Sequence, residues 1–245
     1  MIGQTGTLPD EVAIALVLNG STVAVLMATP RDLPALLCGF AVGEGIVTRH
    51  DHVSAIEVIP HPNGIEVRGR IPADRAAAID ARRRASVGPV GCGLCGIESL
   101  DMAMAEPPKV GPANPALACR VRDAVTALDT RQVMRKQSHA MHAAGYFDAR
   151  GLVTLREDVG RHNALDKLIG AMGDTDVTCG GVVMTARLSI DLVQKCAHAG
   201  IPALYSVSRP TKAAVTQARK CGMSLCTVAP DGLIFYAGKD EETTF

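Results

Sequence analysis

The chain of 245 residues has no tryptophan, and its 4 phenylalanines and 3 tyrosines make it only 3% aromatic. Without large rings the interior must be built from Ala, Val, Leu, Ile and Met, and a 47% hydrophobic content supplies them. Net charge is missing too, because 25 Lys and Arg balance 25 Asp and Glu. A neutral chain has no global field to draw it onto nucleic acid or an anionic membrane, so neither is expected as a partner. Any anion site must therefore be local. No apolar run approaches the roughly 20 residues of a membrane span, and the N-terminus lacks the basic-then-apolar pattern of a secretory signal. These absences lead to the expectation of a cytoplasmic protein, in which the 8 cysteines would not form a disulfide framework. Cys38, Cys196 and Cys226 sit in apolar or helix-like surroundings and read as small core residues.

Cys92 and Cys95 are different, because nothing apolar surrounds them. Cys92-Gly93-Leu94-Cys95 is wedged between Gly91 and Gly96, and glycines free a loop from the restraint of side chains. Such a dithiol can cycle to a disulfide, supply half of a zinc site, or carry sulfur as a persulfide. The same glycines spell Gly91-x-Gly93-x-x-Gly96, a nominal dinucleotide fingerprint, but residues 84–89 make no strand before it and the pattern carries little weight. Zinc is the stronger competitor, since Pro89 precedes the pair as in zinc deaminases. Those enzymes also need an upstream His-x-Glu, which the chain lacks, and it has no second Cys-x-x-Cys to complete a structural site. No structural metal is expected.

Apolar residues at 12–18 and 23–27 flank Asn19-Gly20, a strong hairpin signal, and 53–59 with 65–70 flank a second turn at Asn63-Gly64. Thr29-Pro30 reads as a helix entry, and Pro72 opens an Ala-rich helix ending near Arg84. Residues 86–96 read as a loop and 97–104 as a short helix. Pro107, Pro108, Pro112 and Pro115 then mark the best boundary. It divides an N-terminal α+β domain, 1–106, from a C-terminal domain, 107–245. Beyond it a helical stretch at 117–137 leads to strands at 141–147, 152–156, 182–185, 203–207 and 224–228. Helices at 163–172, 190–199 and 211–221 alternate with them, so the expected fold is α/β, with a largely parallel, helix-covered sheet.

The densest polar cluster is Arg156-Glu157-Asp158-Val159-Gly160-Arg161-His162-Asn163-Ala164-Leu165-Asp166-Lys167. It runs from a strand end, through Gly160, into a helix, a common ligand position in α/β folds. A capped helix with surface ion pairs is the plainer reading, although so many ionisable groups beside one glycine argue against it. His139 and His142 lie at the start of a strand. Two further strand ends, Thr185-Ala186-Arg187-Leu188-Ser189 and Ser206-Val207-Ser208-Arg209-Pro210-Thr211, each offer an arginine and hydroxyls. Three such corners on one sheet edge suggest an anionic ligand.

The run from 156 to 167 is similar to the signature of the formate dehydrogenase accessory sulfurtransferase family, FdhD. The resemblance continues through Gly39-Phe40-Ala41-Val42-Gly43-Glu44-Gly45-Ile46, the Cys92 loop, His142-Ala143-Ala144 and Leu192-Val193-Gln194-Lys195, and covers nearly the whole chain. It implies a sulfur carrier that takes sulfane sulfur from a cysteine desulfurase. The acceptor it implies is the molybdenum bis(molybdopterin guanine dinucleotide) cofactor, and formate dehydrogenase is the client. It also implies a homodimer and a C-terminal cytidine-deaminase-like three-layer sandwich without the zinc site. Cys92 would bear the persulfide, with Cys95 as relay or alternative carrier. The guanine nucleotide part would lie along Gly160, Arg161, His162, Asn163, Arg187, Ser208, Arg209 and the segment Val228-Ala229-Pro230-Asp231-Gly232-Leu233. The chain departs from the family pattern at Ala186, where relatives have glycine, and in that last segment, which lacks their basic residues. A zinc-dependent deaminase-like hydrolase and a non-catalytic cofactor-binding chaperone are the alternatives.

Overall fold

The computed structural model describes residues 8–75, 105–173 and 175–238. The expected continuation of the helix from Pro72, the loop at 86–96 with Cys92 and Cys95, and the helix at 97–104 lie outside the described residues. The first hairpin joins β1 (Val12–Leu18) to β2 (Ser21–Ala28). Its turn is Asn19-Gly20, both with positive φ (49° and 79°), the twist-matched geometry that a two-residue hairpin prefers. β3 (Ser54–His61) and β4 (Gly64–Arg70) form the second hairpin. Here the expected turn shifts by one residue. Gly64 is already paired with His61, and a Cβ on Gly64 would lie 2.3 Å from the Ala13 carbonyl oxygen. The sheet order is β2-β1-β4-β3, with β1 and β4 parallel.

One face of this sheet packs on α1 (Leu33–Gly43) through Ile14, Leu16 and Leu18 against Leu36, Leu37 and Phe40. The helix starts after Asp32, in the left-handed region at φ 54°, with Pro34 rather than Pro30 in its first turn. Thr29 leads no helix here: its carbonyl oxygen, which a helix start would use, accepts from Lys167 Nζ at 2.8 Å, and its N–H donates 3.1 Å to the Asp158 carboxylate.

The second sheet has the order β10-β9-β8-β7-β5-β6. Its strands are β5 (His142–Asp148), β6 (Gly151–Asp158), β7 (Gly181–Met184), β8 (Ala203–Ser206), β9 (Ser224–Ala229) and β10 (Gly232–Ala237). Only β7-β8 and β8-β9 are parallel, so the expectation of a largely parallel sheet is corrected to a mixed one. β10, absent from the sequence reading, folds back antiparallel on β9 through the short turn Pro230-Asp231. Helices α4 (Arg161–Met172), α5 (Ile190–His198) and α6 (Lys212–Cys221) cover one face. α2 (Leu117–Arg131) covers the other. The period-2 alternation of β7 shows both layers, since Val182 and Met184 join the first apolar cluster and Val183 the second.

The single long helix expected at 117–137 breaks at Gln132 (ψ 98°) into α2 and α3 (Val133–Ser138). The buried Glu157 carboxylate explains the restart, accepting from the backbone N–H groups of Met134 (3.0 Å) and Arg135 (2.9 Å) as a cap. The two sheets share one apolar cluster, and its seam is the crossing of α1 with α4. A Cβ on Gly39 would lie 1.7 Å from the Asp166 carbonyl oxygen, and one on Gly170 would lie 1.9 Å from that of Ala35. Backbone meets backbone there, and only glycine fits. Of the cysteines read as core, Cys196 and Cys226 are fully buried and Cys38 half-buried.

Candidate functional site

The polar run at 156–167 divides into an inward and an outward half. Asp158 and Lys167 are both wholly buried and pair at 2.5 Å. Lys167 Nζ also donates to the Thr29 carbonyl oxygen at 2.8 Å. Asp158 further accepts from the Gly160 N–H at 2.8 Å and from Asn163 Nδ2 at 3.1 Å. Asn163 Nδ2 in turn reaches the Met27 carbonyl oxygen at 2.9 Å. These bonds fasten the end of β2 and the residues after it to the start of α4. Asn163, expected to face a ligand, uses its amide nitrogen within the fold, bonded to Met27 and Asp158. Gly160 has the extended φ and ψ of −99° and 127°. A Cβ there would come within 2.8 Å of the Asn163 amide and push it from its bonds to Met27 and Asp158.

One turn further on, Lys195 of α5 holds two carboxylates. Its Nζ lies 2.8 and 2.9 Å from the Asp166 oxygens and 2.7 Å from Glu44 Oε1. Burial alone would lower the Lys195 ammonium, but the two acids outweigh it and raise it to about 12. Burial, helped by Glu44, pushes Asp166 up to about 6 against the pull of Lys195, as expected when two carboxylates compete for one cation.

The outward half is Arg161 and His162, at the N-terminus of α4. His162 Nε2 contacts Asp191 Oδ2 in the first turn of α5. Burial would raise Asp191, yet the imidazole holds it below the usual carboxylate range. His142, at the start of β5 and in register with Asp158, is lowered by burial and by the nearby Arg161, His162 and Arg135, which favours its neutral form.

Strand directions place the expected corners on one edge. β6, β7, β8 and β9 run the same way, so Gly160, Arg187 and Ser208-Arg209 follow strand ends on the side where Ala229 ends β9. From β6 to β9 the edge crosses four strand spacings, about 19 Å. The N-termini of α4, α5 and α6 open on the same edge, adding partial positive charge. The hydroxyls there brace the loops. Ser206 Oγ donates to the Ala186 carbonyl oxygen at 2.6 Å and accepts from the Ser208 N–H at 2.9 Å. Thr227 Oγ1 donates to the Ser208 carbonyl oxygen at 3.1 Å, and Thr211 caps α6. Arg187 and Arg209 are left exposed, and with Arg161 they form no ion pair with a described residue. Arginines elsewhere on the surface do, such as Arg49 with Asp51 and Arg150 with Asp148. At the last corner, Val228 and Leu233 pair across β9-β10 with only 9% and 7% of their surface exposed. Of these two expected ligand residues, the side chains belong to the core. Ala229, Pro230, Asp231 and Gly232 remain at the surface, and Asp231 is acidic.

Sequence reasoning missed Asp191, the partner of His162. Its signal was an acid in the first turn of the helix that follows a neighbouring strand end. Among the described residues no three His, Cys, Asp or Glu side chains gather as metal ligands. Burial pushes the thiols of Cys38, Cys196, Cys221 and Cys226 up, the last to about 12, so these four are poor nucleophiles near neutral pH.

The described residues define an α/β chain with a basic sheet edge, and comparison narrows it. The FdhD/NarQ family model matches residues 9–241, and the chain belongs to that family. It is 42% identical over 221 residues to the sulfur carrier protein FdhD of Agrobacterium fabrum, covering 89% of this chain and 82% of that one. A protein of the same name from Xanthomonas campestris pv. campestris strain B100 is 42% identical over 236 residues, covering 94% and 84%. A crystal structure described as a candidate formate dehydrogenase accessory protein from Desulfotalea psychrophila shares the fold. It has a TM-score of 0.69 at 23% identity, over 96% of this chain and 90% of that one.

Proposed function

We propose that the chain is a sulfur carrier that accepts sulfane sulfur from a cysteine desulfurase and delivers it to a molybdenum cofactor bearing guanine nucleotides, in support of a formate dehydrogenase. The observation that carries the transfer role is the near-full-length similarity to proteins named sulfur carriers, in a chain that keeps the Cys92/Cys95 dithiol. The acceptor side is supported by the sheet edge. Arg161, Arg187 and Arg209 lack acid partners among the described residues, and three helix N-termini open beside them, an arrangement suited to phosphate oxygens.

In this reading the cofactor is the substrate, with its nucleotide part along Gly160, Arg161, His162, Arg187 and Arg209. Cys92 carries the outer sulfur. Attack of the Cys95 thiolate on the inner sulfur of a Cys92 persulfide forms the Cys92–Cys95 bond and releases hydrosulfide. The dithiol supplies the two electrons, and an external thiol reductant must restore it. The test is mass spectrometry after incubation with a cysteine desulfurase and cysteine. Wild type should gain mass in steps of one sulfur atom at Cys92, and Cys92→Ala should gain none there and deliver no sulfur. Delivery at the normal rate by Cys92→Ala would move the carrier to another thiol.

A further inference from the structure

The β9-β10 turn is the corner of this edge whose own residues carry no positive charge. Between Val228 and Leu233 the single ionisable group is Asp231. The fold brings a cation there from a distant part of the chain. Arg122 of α2 donates from Nη2 to the Ala229 carbonyl oxygen at 3.1 Å, across 107 positions of sequence. We propose that Arg122 is the phosphate-recognising side chain of this corner, an inference that rests on the nucleotide edge proposed above.

Three observations carry it. First, Ala229 is the last paired residue of β9. The bond therefore fixes the guanidinium at the same strand ends that present Arg187 and Arg209. Second, a guanidinium has five N–H donors in a rigid fork, so one bond to a carbonyl leaves donors for a bidentate hold on an oxyanion. Third, Arg122 is exposed and forms no ion pair with a described carboxylate, whereas Arg120, two positions earlier on the same helix, lies 3.7 Å from Asp123. The buried stripe Leu117, Val121, Ala124 and Leu128 seats α2 on the sheet and sends Arg122 out along its flank. Holding the turn takes only one donor, as Arg131 of the same helix shows by donating to the Leu152 carbonyl oxygen at 2.8 Å. What sets Arg122 apart is its place, at the strand-end edge that also carries Arg187 and Arg209, and a cation on that edge suits an anion.

The experiment is calorimetry of GDP binding to the full chain at low and at high salt, with thermal melting of each variant. Arg122→Gln keeps an amide donor but removes the charge. It should bind GDP about tenfold more weakly at low salt, the effect of one lost charge-assisted bond. Its affinity should also fall less with added salt than that of wild type. Arg122→Lys should keep the wild-type salt dependence, and Arg120→Gln should match wild type throughout. Wild-type GDP affinity in Arg122→Gln, with Arg187→Ala still weakened, would remove Arg122 from the site and leave the edge standing. A loss in Arg122→Gln with unchanged salt dependence and a lower melting temperature would overturn the proposal in favour of a turn-holding role. If wild type bound no GDP, or if Arg122→Gln and Arg187→Ala both bound it normally, the nucleotide edge itself would fail.

Discussion

Replacing Lys167 by methionine tests the buried seam most directly. Its ammonium has no exposed surface, pairs with the equally buried Asp158 at 2.5 Å, and bonds to the Thr29 carbonyl oxygen at 2.8 Å. Methionine fills similar volume, so little of the effect comes from a cavity. What remains is a buried carboxylate without its cation and a Thr29 carbonyl oxygen without that donor. Asp158 would still accept from Thr29, Gly160 and Asn163, which limits the damage but leaves its charge unbalanced. Breaking a buried pair from one side costs about 3–5 kcal/mol. Asp158→Asn should cost a similar amount, and the double variant clearly less than the sum of the two. Urea titration followed by circular dichroism reads all three. A cost under about 1 kcal/mol for Lys167→Met, well below the range for buried pairs, would refute the reading that this pair fastens β2 to α4.

Gly39→Ala should destabilise the chain by about 3 kcal/mol or more, because its methyl would overlap the Asp166 carbonyl oxygen and force α1 from α4; denaturant midpoints check it. Arg187→Ala should weaken GDP binding by roughly 10- to 100-fold with an unchanged melting temperature, since the side chain is exposed and bonds to no described residue; calorimetry beside melting separates the two effects. Asp166, raised to about 6, keeps its proton in the folded chain where the unfolded chain has lost it near pH 4. The folded state then binds more protons, so this group's contribution to stability falls as pH rises from about 4 to 6, and Asp166→Asn should remove that slope from denaturation curves measured across the window. Lys195, raised to about 12, adds stability that is complete below about pH 10.5 and lost only as pH climbs through its folded value.

The strands and helices were largely legible because their apolar periods are strong, and the hairpin at Asn19-Gly20 followed from turn chemistry alone. The use of the polar run was not. Asn163, Asp166 and Lys167 fall at i, i+3 and i+4, the spacing of a helix's buried face, but periodicity scored on hydrophobicity passes over buried polar residues. Their partners decide the matter, and those are distant: Thr29 lies 129 positions from Asp158, and Lys195 lies 29 from Asp166. The same limit applied to the hydroxyls of Ser206 and Thr211, which looked available for a ligand until the neighbouring loop and helix were seen to use them. Arginine behaves in the opposite way. Its charge is costly to bury alone, so an arginine without an acid nearby in the fold stays at the surface, as Arg187 and Arg209 do. For a ligand corner in an α/β chain, the unpaired cation is therefore a safer guide than the density of polar residues. By that criterion Arg122 belongs with the edge, although strand ends alone offer no reason to look on α2.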